Sequence, residues 1–343
     1  MNKEELEDSI HFALIQGKKE QLETLSREAV SLYPREAFGY AYLAEAILME
    51  FPTPYTKAEH CLAKATQLAP TNTSYIARFA TVKDKQNQGD NAQVLWERLL
   101  EMDPNHLEAL IAKGVHALNN VLDYHQAKVF FDRAIQHHMD DPQSYFYRAI
   151  CYLKWKEFEK ALKDYEYFVQ LSGTKERVEE LLIKVEICRG LNNIDRLTEA
   201  YNAISNLVPE DPFYYRECAN VLFSNERYKA AAEQYRAALK WTHKTNAAYN
   251  ATAFSLGDAL YKDQQYEEAI TVFDLYIENV ESPIIGLLKQ IDVFIQLKEY
   301  DNALNRIKVA QNINKDPLYV DQLVKTKEKL LIELKNMRFP SRR

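Results

Sequence analysis

A small residue returns along this chain at nearly constant spacing, and that regularity limits the fold more than any other feature. The slot holds Ala58, Ala92, Ala127, Ala161, Ala231, Ala269 and Ala303, with Leu22 and Leu197 in the same place in two weaker copies. The successive intervals are 36, 34, 35, 34, 36, 34, 38 and 34 residues. A period of this length is one supersecondary unit, too long for a single helix or strand and too short for a domain. A larger residue stands four places after most slots: Leu62, Trp96, Phe131, Tyr165, Tyr201, Tyr235, Phe273 and Ile307. A small residue often stands seven places after, at Ala29, Ala65, Ala134, Ala238 and Ala310, and proline twelve after, at Pro34, Pro70, Pro104 and Pro209. These offsets lie on one face of a helix that proline then closes.

The preceding half of each unit is helical too. AYLAEAILME (41–50), LIAKGVHALNN (110–120), YFYRAICYLKW (145–155), YRECANVLF (215–223) and FSLGDALYK (254–262) place apolar residues at i, i+3, i+4 and i+7. Each unit therefore reads as helix–turn–helix. Only eight glycines occur in 343 residues, which disfavours β-rich folds and their glycine-dependent turns.

This pattern resembles the tetratricopeptide repeat (TPR) family, whose motif is roughly W-x2-L-G-x2-Y, A-x3-F and a closing proline. Leu256, Gly257, Leu260, Tyr266, Ala269 and Phe273 carry it well. So do Tyr145, Ala149, Tyr152, Phe158, Ala161 and Tyr165, and Gly114, Ala127, Phe131 and Ala134. The resemblance covers about residues 3–317. It implies an all-α, right-handed α-α superhelix, a TPR solenoid of about nine repeats with a C-terminal capping helix. Boundaries are expected near 3–35, 36–70, 73–105, 107–140, 142–174, 175–210, 212–245, 250–282 and 284–316. The alanine slots, Gly114 and Gly257 are the structural positions, where two helices approach closely and a bulky neighbour fills the gap.

The repeats are not uniform. The first is degenerate, with Leu22 and Ser26 in the key slots, and the sixth has no small residue at its tight position. The 38-residue interval predicts a longer loop or lengthened helices near 241–250. A capping helix is expected over 318–338, with Leu323, Leu330, Leu331 and Leu334 on one face and lysines opposite, followed by a disordered tail at 339–343.

No catalytic signature accompanies the repeat. None of the eight histidines sits in HExxH or pairs with cysteine at zinc spacing, and no phosphate-binding or nucleophile-elbow motif occurs. No enzyme activity, cofactor or metal is expected. Net charge is −7, unlike the basic face of a nucleic-acid binder. The basic stretch 318–343 reads as a solvated helix face and tail. No signal peptide or run of eighteen apolar residues is visible, and the four cysteines are scattered. The chain is expected to be cytoplasmic.

Function should then lie where the repeats differ. In the family, first helices line a concave groove that binds a peptide or partner helix. The resemblance places Phe38, Phe146, Ile150, Lys154, Phe213, Arg216, Asn220, Phe254, Asp258, Tyr261 and Asp292 there. One TPR subgroup clamps a C-terminal carboxylate with Lys, Arg and Asn. Arg216 and Asn220 match its first part, but Ser255 and Ile285 break it. The expected role is a protein-interaction scaffold or adaptor with a protein or peptide partner. The alternative is a structural or self-associating subunit of an assembly, which allows a homo-oligomer. RNA binding ranks below both.

Overall fold

The computed structural model describes residues 2–313 and 316–338; the tail expected at 339–343 lies outside them. The described residues form α-helices joined by short turns, with one π-helical turn and no strand among them. The fold is an all-α TPR solenoid. No described helix is long and apolar enough to cross a membrane.

The chain divides into two compact units, one up to Thr174 and one from Lys175 onward. The first contains α1 (Lys3–Ile15), α2 (Lys19–Leu32), α3 (Ala37–Leu48), α4 (Tyr55–Leu68), α5 (Thr73–Lys85), α6 (Gly89–Met102), α7 (Leu107–His116), α8 (Tyr124–His137), α9 (Pro142–Lys154) and α10 (Phe158–Ser172). The second contains α11 (Val178–Gly190), α12 (Ile194–Leu207), α13 (Pro212–Ser224), α14 (Tyr228–Trp241), α15 (Ala247–Lys262), α16 (Tyr266–Glu278), α17 (Ile284–Gln296), α18 (Tyr300–Ile313) and α19 (Pro317–Arg338). Each odd-numbered helix from α1 to α17 packs on its successor as a hairpin.

The hairpin core follows from the slots. Ala58, Ala92, Ala127, Ala161, Ala231, Ala269 and Ala303 are all fully buried. The ring four residues later reaches across to the first helix. A Cβ built on Gly114 would lie 2.5 Å from the Phe131 ring, and one on Gly257 would lie 2.6 Å from Phe273. Glycine at these two places leaves the volume that a phenylalanine ring fills. Ala149 and Ala219 hold the matching place in the hairpins carrying Tyr165 and Tyr235, and all four are buried. In the sixth repeat Val185 and Tyr201 are both buried, so a larger pair fills the same junction.

The turns are as regular as the core, though their sequences are not. Five residues before the slot the backbone adopts positive φ at Gly17, Asn87, Leu122, Lys156, Asn192, Glu226, Gln264 and Lys298. The next N–H bonds back five residues, as in Lys18 to Ala13 (3.0 Å), Glu157 to Tyr152 (2.9 Å) and Gln265 to Leu260 (2.8 Å). The positive-φ residue itself bonds back three, as in Gln264 to Tyr261 at 3.1 Å. This double bond closes a helix end with a left-handed residue and satisfies its last carbonyls. Among the nine hairpins only the second lacks the device; there Pro54 is the residue that precedes and caps α4.

The fourth repeat shows how the lattice absorbs one extra residue. Its slot follows the previous one by 35 residues, and its first helix ends in a π-turn over Ala117–Val121. The closing bond then spans six residues, from Asp123 N–H to the Ala117 carbonyl at 2.9 Å. A π-turn is a one-residue insertion inside a helix, so the hairpin keeps its register. The 38-residue interval is absorbed differently. The first helix lengthens: α15 has 16 residues where α13 has 13.

At the C-terminus, α19 buries Leu323 and Leu330 against the α17–α18 hairpin. The apolar stripe is narrower than expected, because Leu331 is 49% exposed. Residues 323 and 330 are two turns apart and stack, whereas 331 lies about 100° further round the helix.

Two stability outcomes follow. Gly257→Ala should lower the urea midpoint by the equivalent of about 1–3 kcal/mol through overpacking against Phe273. Phe273→Leu added to it should recover part of the loss. Leu122→Gly should raise the thermal midpoint, because a left-handed leucine costs about 1 kcal/mol that glycine does not. An unchanged midpoint in either experiment contradicts this account of the hairpin.

Candidate protein-interaction faces

Packing uses one side of each first helix, and the residues that remain accessible there are the candidates. Each unit has its own set.

In the first unit, Phe38 does not belong to an open face. It is only 4% exposed, sits 6.2 Å from the Tyr33 ring, and joins Leu6 and Ile10 in one core cluster. Counted from the tight small residue (Ala44 in α3, Ala219 in α13), it holds the same register position as Phe213, which is 47% exposed. The difference is tertiary: α1 and α2 precede Phe38 and close over it. Phe146 is half-buried, with its ring 4.9 Å from Phe168 and 6.5 Å from Tyr165, so much of it is spent on packing. Ile150 is half-buried and Lys154 exposed.

One α9 residue that the sequence did not single out organises this region. Arg148 donates to both oxygens of Asp164 at 2.6 and 2.8 Å and to Asp132 at 2.9 Å, tying α9 to α10 and α8. Asp164 is 4% exposed, and the Tyr145 and Tyr152 rings lie 5.7 and 5.9 Å from the guanidinium. Its two carboxylates hold Arg148 firmly charged despite burial. An Arg between two acids sixteen residues away on either side is a signal that hairpin geometry makes readable only afterwards. Nearer the N-terminus, the Glu45 carboxyl is pushed up by burial, partly offset by Arg78 at 2.8 Å. Asp84 is also pushed up by burial, partly offset by the Trp96 indole N–H at 2.8 Å.

In the second unit, Phe213 is exposed and edge-on to Tyr214. Arg216 is half-buried. Asn220 is exposed, but its carbonyl oxygen accepts from the Tyr235 hydroxyl at 2.7 Å. Phe254 is half-buried and packs against Tyr276 at 5.2 Å and Phe273 at 5.9 Å. Lys289 lies 5.9 Å over that ring and pairs with Asp258 at 2.5 Å. Asn220, one member of the carboxylate-clamp pattern, is therefore engaged within the fold. The structure brings Phe254, Asp258 and Lys289 into one cluster, with Asp292 close enough to feel both charges. Solvent reaches Asp292, yet its carboxyl is pushed up, first by the packed protein around it and then by Asp258, with Lys289 opposing. Burial also pushes up the Tyr261 hydroxyl, and Asp292 adds to the effect.

An open trough of about 510 Å³ adjoins this cluster. Ala247, Ala251, Phe254, Tyr276, Val280 and Ile285 give it apolar walls. Asn250 also lines it; its side-chain amide donates to the Asn279 carbonyl at 3.0 Å, and its own side-chain oxygen has no hydrogen-bond partner. The lengthened first turn of α15 supplies Ala247, Asn250 and Ala251. Among the described residues, no group of three His, Cys, Asp or Glu side chains is arranged to hold a metal ion.

The tetratricopeptide repeat family model matches residues 217–282, which span α13 to α16. No curated protein sequence matches the chain. Among solved structures, PilF of Pseudomonas aeruginosa is 19% identical, with a TM-score of 0.54 over 60% of this chain and 93% of that one. PilW, titled a widely conserved type IV pilus biogenesis factor, is 13% identical, with a TM-score of 0.53 over 61% of this chain and 96% of that one. A TPR protein of Parabacteroides merdae is 11% identical, with a TM-score of 0.43 over 85% and 98%. At these identities PilF and PilW show a shared fold alone. Nine hairpins of one register among the described residues, with the family match over α13 to α16 in their midst, give this chain the tetratricopeptide repeat fold.

Proposed function

We propose that this chain is a scaffold that holds a partner protein by a peptide or helix laid across its first-helix faces. The division of labour between the two helices of each repeat carries this reading. Second-helix slots are filled by buried alanines and rings. First helices instead keep half-buried or exposed residues that differ from repeat to repeat, including Ile150, Lys154, Arg216, Phe254 and Tyr261. A surface mixing aromatic anchors with sparse charges suits recognition of a protein segment. The Glu45, Asp84 and Asp292 carboxyls, each pushed up by the protein packed beside it, add acidic points to it.

The test is affinity capture followed by mass spectrometry, repeated with face variants. Ile150→Glu with Lys154→Glu, and separately Arg216→Glu, should each remove partners that the parent chain captures. Glu199→Lys, on the second helix α12, should leave them. Capture that no first-helix variant disturbs contradicts the proposal, provided the variants melt like the parent.

A second outcome concerns stability. The Asp292 pKa is raised in the folded chain, so its stabilising contribution is present at low pH and lost as pH rises through the folded value. Asp292→Asn should therefore raise the melting temperature at pH 7. The gain should vanish below about pH 4, where the carboxyl is protonated in both states. A gain equal at both pH values contradicts the desolvation argument.

A further inference from the structure

The last three first-helix positions of the array repeat one pattern. In α15 the buried pair Ala253 and Leu260 are seven residues apart; in α17 the pair is Leu287 and Phe294, and in α19 it is Leu323 and Leu330. These pairs set a common register. One residue past the first member stand Phe254, Leu288 and Val324. Five past it stand Asp258, Asp292 and Glu328. One past the second member stand Tyr261, Ile295 and Leu331. All nine are half-buried or exposed, so the three helices present an acidic row between two apolar rows. Neither of the preceding first helices continues it. At these positions α13 has Arg216, Asn220 and Phe223, and α11 has Leu182, Glu186 and Arg189.

On α19 the basic residues Lys325, Lys327 and Lys329 flank Glu328, and Lys325 is committed to Asp321 at 2.7 Å. Lys289 is committed to Asp258. Neither Asp292 nor Glu328 has an ion pair among the described residues. The apolar trough bounded by Phe254 and Ile285 opens beside the first row. α15 touches α17, and α19 packs on α18 with Leu323 and Leu330 in the same core as Leu287 and Ile291; directly packed helices lie about 8–10 Å apart, close to the length of three extended residues.

We propose that the α15–α17–α19 face docks a basic, apolar segment of a partner protein, with lysine or arginine at about every third residue and large apolar side chains between them. The cations meet Asp292 and Glu328, and the apolar side chains lie along the flanking rows, one of them entering the trough. The proposal rests on the scaffold reading and names the partner chemistry for this face.

A fluorescein-labelled peptide of about nine residues, with lysine at every third position and leucine elsewhere, tests it on the full chain by anisotropy. The peptide should bind, and Asp292→Asn with Glu328→Gln should weaken it by about tenfold or more. A serine-for-leucine peptide of equal charge should bind about tenfold more weakly, and a glutamate-for-lysine peptide should not bind. Glu199→Lys, on the second helix α12, should leave the affinity unchanged. The proposal is overturned if the paired Asp292 and Glu328 variant binds like the parent. It is also overturned if the serine peptide binds as tightly as the leucine one, because attraction to the net negative chain would then explain everything. If partner capture is lost in the Ile150 or Arg216 variants while the peptide result fails, the scaffold reading stands and this one falls.

Discussion

In the fourth and eighth repeats, an aromatic ring from the second helix occupies the space that a Cβ would take on the first. Phe131 against Gly114 and Phe273 against Gly257 are the tightest cases. Everything larger depends on this interlock. It brings the two helices within the short distance that a small side chain permits, and it orients both helices so that their remaining apolar residues face the next hairpin. A hairpin alone cannot bury those residues, so each unit gains its core by stacking.

That lattice is strict about register and tolerant about how register is kept. The turn after each first helix, the second repeat excepted, uses a left-handed residue and a back-directed hydrogen bond, whatever the local sequence supplies. One extra residue in the fourth repeat is taken up as a π-turn, and of the four in the eighth three lengthen the first helix and one the loop before it. In both cases the slot residue stays buried. Moving an alanine out of its slot would place a ring against a side chain, which costs more than a strained turn.

The same lattice frees the first-helix faces for other uses. Their residues are not needed for interlock, and several are poor choices for stability alone. Asp292 is a solvent-exposed acid with no ion pair among the described residues, its nearest cation Lys289 being engaged by Asp258. Arg148 shows the contrasting use of charge. Its two acids satisfy it, and it ties three helices together beside Ile150 and Lys154. Charges that are paired and buried build the scaffold, whereas those left unpaired on a first-helix face are available to a partner.

The nine slots, the rings four residues later and the helical spacing of both halves were all legible in the sequence, because each follows from a fixed offset along one chain. Those offsets by themselves determined the all-α repeat fold. They did not reveal the turns, since only Gly17, Asn87 and Asn192 among the eight left-handed turn residues are of types that favour that conformation. Nor did they separate Phe38 from Phe213, which share a register position and differ in burial because of what packs over them. The pairing of Lys289 with Asp258, the Arg148 network and the trough beside Phe254 were likewise decided only in three dimensions. Each joins residues brought together by stacked helices, and an offset within one helix cannot encode what stands on the next.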